Sequence, residues 1–60
     1  MNYEEAEAAA LSMNDLLARQ RRFDEARRVL EQIIELRPRS VEARAALAAL
    51  REQAALPARP

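Results

Sequence analysis

Residues 23–38, FDEARRVLEQIIELRP, carry the pattern that most narrows what this chain can fold into. Phe23, Ala26, Leu30, Ile33 and the aliphatic stem of Arg37 recur every three or four positions, which lays an apolar stripe along a helix and leaves charge opposite it. Asp24 and Glu25 stand in the first turn, where the partial positive charge of a helix start favours carboxylates, and Arg37 stands at the end that favours a cation. Pro38 closes the stretch because its ring disfavours helical backbone in the residue before it. Such a segment needs other amphipathic helices to cover its stripe. Val29, Ile34 and Leu36 lie off that stripe and predict burial on more than one side.

Two further helices are predicted. The first opens near Asn2, which caps the free amides, with Glu4, Glu5 and Glu7 in or just after the first turn. Its stripe is Ala6, Ala10, Met13 and Leu17; Ala9 and Leu16 widen it, and Leu11 adds a second apolar direction. The third begins after Ser40, a good cap, with Val41 and Glu42 in the first turn and a stripe of Ala43, Leu47, Leu50 and Ala54 beside Ala46. Residues 57–60 read as a frayed tail. The turn near Arg19-Gln20-Arg21-Arg22 contains no glycine, nor does any other part of the chain. Gln20 or Arg21 is therefore expected to adopt the left-handed conformation, at a cost of about 1 kcal/mol or more.

Composition removes whole classes of function. With no cysteine and no histidine, disulfides, thiolate chemistry, zinc fingers and imidazole catalysis are excluded. Ten acidic and ten basic side chains balance, so there is no global basic field to draw nucleic acid. The arginines at 19, 21, 22, 27 and 28 suggest a phosphate-binding surface, but Asp24 and Glu25 interrupt them, Asp24 is placed to pair with Arg28, and no aromatic residue interleaves for base stacking. A solvated helix end accounts for them better. Glu31 and Glu35, one turn apart, lack any orienting network, so no enzyme, cofactor or metal site is expected. No apolar run reaches the ~18 residues of a membrane span, and the acidic start is unlike a signal peptide, which predicts a cytoplasmic protein.

Ala26, Leu30 and Pro38, preceded by Phe23-Asp24-Glu25, resemble the second helix of a tetratricopeptide repeat, a helix-turn-helix unit of about 34 residues. Counting back by the family's spacing, Ala10, Met13, Asn14 and Leu17 fall where tryptophan, leucine, glycine and tyrosine are common, so the first helix matches in polarity and size class. Asn14 departs from a small residue, and Arg21 from the usual glycine of the turn. The resemblance implies an all-α, three-helix domain over residues 1–56, with one repeat at about 7–40 and a capping helix at about 41–55.

A solenoid unit buries its face mainly on its neighbours, and roughly three units are normally needed. The expectation is therefore a non-enzymatic protein-interaction module that self-associates as a homo-oligomer, with Leu11, Leu16, Val29, Ile34, Leu47 and Leu50 as interface residues. By the family's spacing, a groove is implied at Ala8, Leu11, Asp15, Ala18 and Arg19. That set differs from the basic, asparagine-rich one with which some members clamp chaperone carboxylates. It suits a partner helix instead. Such a partner would make the chain a small chaperone or assembly subunit, as in a bacterial secretion apparatus; a further alternative is a fragment or design from a longer repeat protein.

Overall fold

The computed structural model describes residues 2–57, which form three helices: α1 (Tyr3–Arg19), α2 (Phe23–Leu36) and α3 (Val41–Ala55). Asn2 caps α1, its side-chain oxygen accepting from the Glu5 N–H at 2.8 Å. Ser40 caps α3 in the same way, accepting from the Ala43 N–H at 3.1 Å. At the head of α2, Arg22 offers the backbone no side-chain acceptor, and its guanidinium instead holds Glu25 through Nε at 3.1 Å and Nη2 at 2.5 Å.

The α2 stripe is the centre of the molecule. Ala26, Leu30 and Ile33 are buried; Leu17 comes from α1 and Leu50 from α3 to pack with Ala26 and Leu30. Burial of the fully enclosed Leu30 side chain is worth about 1.5–3 kcal/mol. Leu11, Phe23, Val29 and Leu47 are half-buried around this cluster. α3 packs on both α1 and α2, so the third helix covers its own hairpin.

The α1–α2 turn is closed without glycine. Arg21 has φ 57, the left-handed backbone expected at Gln20 or Arg21. Its N–H donates to the Ala18 carbonyl at 3.0 Å and the Arg22 N–H donates to the Leu17 carbonyl at 2.9 Å, the two bonds of a Schellman motif. The Arg21 guanidinium lies 5.0 Å from the Phe23 ring centroid, a cation–π contact that offsets part of the backbone cost.

Several sequence expectations change. Met13, placed in the α1 stripe, is 48% exposed, and Leu36, expected to be covered, is 51% exposed. Ala54, placed in the α3 stripe, is exposed. Asp24 pairs with Arg27 at 4.0 Å rather than with Arg28. Arg37 is the residue after α2, with φ −134, and not part of its last turn. Of the expected tail, residues 58–60 lie outside the described residues.

Candidate functional site

Two places on this scaffold gather polar groups against apolar surface. The first is the junction where α1 begins and α2 hands over to α3. Ser40 is buried; its hydroxyl donates to Glu7 Oε2 while its oxygen caps α3. Glu7 Oε1 also faces Arg37 Nη1 at 3.9 Å, and the Glu7 side chain is 13% exposed. One carboxylate thus ties the start of α1 to the link between the other two helices, satisfying a buried hydroxyl that would otherwise carry a desolvation penalty. This junction is structural and ties the start of α3 to α1.

The second place is the cleft between α1 and α3. It is an open cleft of about 730 Å³. Asn14 and Ala18 form one wall, Ala46, Ala49 and Gln53 the other, and the Asp15–Arg19 ion pair, 3.5 Å apart, borders it. The cleft exists because alanine side chains are too short to fill the space between the two helices. Within it, Asn14 Oδ1 is buried and accepts no hydrogen bond among the described residues. That oxygen is shielded from solvent, so it costs the fold about 1–3 kcal/mol and is not offered to the cleft's occupant.

The groove residues implied by spacing meet this cleft in part. Asp15, Ala18 and Arg19 line it; Ala8 is exposed and Leu11 half-buried further along α1, outside its lining. The opposite wall on α3 was missed, as was Asn14, although the departure of Asn14 from a small residue was visible. Among the expected interface residues, Leu50 is 3% exposed and belongs to the chain's own core, since α3 folds back on its hairpin. Leu11, Val29, Ile34 and Leu47 are half-buried, and Leu16 is 51% exposed.

The arginines at 19, 22 and 27 each face a carboxylate, at 15, 25 and 24 respectively, and Arg21 faces an aromatic ring, so most of the basic cluster is internally neutralised. Glu31 and Glu35 are exposed on α2. No helix among the described residues is long and apolar enough to cross a membrane.

A family model, the tetratricopeptide repeat, matches residues 8–50, which takes in most of α1, all of α2 and the first two-thirds of α3. No curated protein and no solved structure matches the chain. Repeats of this kind are non-enzymatic units that mediate protein–protein interaction. With a match over more than half its length and the helix order to go with it, the chain belongs to the tetratricopeptide-repeat family.

Proposed function

We propose that the protein is an interaction module that receives an amphipathic helix of a partner protein in the cleft between α1 and α3. The observation that carries this reading is the open cleft of about 730 Å³ walled by Ala18, Ala46 and Ala49. Small walls admit the bulky apolar side chains of a helix, and the Asp15–Arg19 pair at the border faces its polar flank. A cleft built by one three-helix unit offers a short contact, so useful affinity comes from several modules acting together.

The test is selection of helical peptides from a displayed library against the purified chain, followed by chemical-shift mapping. Binders should perturb the amides of Ala18, Ala46 and Ala49, and Ala49→Arg should weaken them at least tenfold, about 1.4 kcal/mol, with helicity unchanged. Binders that ignore Ala49→Arg would overturn the proposal.

Self-association is a second reading, favoured by a separate observation. Met13 and Leu16 are 48% and 51% exposed on α1, on the side away from the cleft. With the exposed Ala9 they form one apolar strip on the helix flank, a surface that a second copy can cover. Copies joined there would present several clefts at once.

A further inference from the structure

α1 turns about 100° per residue, which puts Ala9 and Leu16 within about 20° of each other, roughly 90° from the buried Leu17 and roughly opposite the cleft residues Asn14 and Ala18. This flank is covered by neither α2 nor α3: Ala9 is exposed and Leu16 is 51% exposed. Resting on the self-association reading, we infer that a second copy of this chain covers it, with the two α1 helices packed antiparallel about a two-fold axis near Ser12.

Size and charge both select that occupant. The small Ala9 and the large Leu16 are seven residues apart on one line, so a two-fold axis midway between them seats each Leu16 on the other copy's Ala9. Met13 then lies within about one residue rise, ~1.5 Å along the helix, of the axis and meets its own counterpart. Glu5 and Arg19 share one edge of the same flank, fourteen residues apart, with their midpoint at Ser12. The two-fold axis that matches Leu16 to Ala9 therefore also brings each Glu5 to the other copy's Arg19.

A parallel arrangement would instead stack Leu16 on Leu16, leaving a gap at Ala9, and would carry Glu5 and Arg19 of the two copies to opposite edges of the seam, where they cannot pair. Asp15 stays beside Arg19 at 3.5 Å, and both are largely exposed, so Arg19 can receive Glu5 as a second carboxylate. A seam along one 17-residue helix is smaller than the roughly 800 Å² per partner of standard complexes, so the test extends to millimolar concentration.

Sedimentation velocity of the chain across micromolar to millimolar concentration should show a monomer–dimer equilibrium. Leu16→Glu should raise the Kd at least tenfold. Glu5→Arg and Arg19→Glu should each raise it about two- to tenfold at low salt, since two exposed pairs are affected in each dimer, and their combination should restore it. These changes are on exposed positions, and circular dichroism reports whether helicity is kept.

A second measurement does not depend on mutating the seam's apolar residues. Ser12→Cys, beside the axis, should oxidise readily to a disulfide-linked dimer, whereas Arg28→Cys on α2 should not. Dimerisation that survives Leu16→Glu, or that gains nothing from the charge exchange, overturns this geometry and leaves self-association through another face. A monomer at every concentration overturns both.

Discussion

The α1–α2 connection reverses the chain within Gln20, Arg21 and Arg22, by forcing Arg21 into left-handed backbone and closing two carbonyl bonds over it. The α2–α3 connection uses Arg37, Pro38, Arg39 and Ser40, with the Ser40 N–H donating to the Arg37 carbonyl at 3.0 Å and all described residues there at ordinary φ. The first turn meets its cost locally, in one backbone torsion and one cation–π contact. The second exports the requirement to Glu7, 33 residues away in sequence. A chain without glycine can therefore turn by local strain or by distant hydrogen bonding. The two choices have different consequences: strain is confined to the turn, whereas the distant bond also ties the start of α3 to α1.

The largest effect should come from breaking the distant bond. Ser40→Ala removes the α3 cap and leaves a mostly buried carboxylate without its donor, and should cost about 2 kcal/mol in urea denaturation. For a 60-residue domain that is a large fraction of total stability. Glu7→Gln keeps an acceptor for Ser40 and should cost less than Glu7→Ala. If Ser40→Ala costs under about 0.5 kcal/mol, the junction does not depend on this bond and the contrast between the turns fails.

The local turn should respond to backbone chemistry alone. Arg21→Gly removes the left-handed penalty and the Phe23 contact together, and should fall within about 1 kcal/mol of the parent. Arg21→Val adds a branched carbon where φ is 57 and should cost about 1–2 kcal/mol more than Arg21→Gly. Thermal denaturation of the pair separates them. Equal stability of the two variants would show that the turn relaxes out of the left-handed region.

This contrast also explains what the sequence made legible. The helix bounds, the caps at Asn2 and Ser40 and the left-handed residue near Arg21 follow from residues within one or two turns of each other, and local chemistry determines them. Glu7 looked like an ordinary acidic residue at a helix start, because nothing near it in sequence points to Ser40. Leu50 looked like interface because its role depends on where α3 lands, which Ser40 and Glu7 help to decide. Met13 was assigned to the buried stripe because periodicity gives the width of an apolar face without saying which edge a neighbour covers. The cleft was partly legible for the same reason: of the residues implied by spacing, Asp15, Ala18 and Arg19 lie on its α1 side and Ala8 and Leu11 do not, and only the packing of α3 supplied Ala46, Ala49 and Gln53.

The smallest effect is expected at the ion pair beside the first turn. Asp15 and Arg19 are 72% and 78% exposed at 3.5 Å, so their attraction is worth a few tenths of a kcal/mol at most and is screened by salt. Asp15 also lies close to the C-terminus of α1, where the helix dipole disfavours a carboxylate by a similar amount. Asp15→Asn therefore removes a weak attraction and a weak repulsion together, and its unfolding free energy should match the parent within about 0.3 kcal/mol at low and at high salt. The Glu7–Arg37 pair, 3.9 Å apart but with Glu7 only 13% exposed, should keep a measurable coupling in a double-mutant cycle at high salt. If the exposed pair couples as strongly as the shielded one, burial is not what separates the two turns, and the difference between them lies in backbone geometry alone.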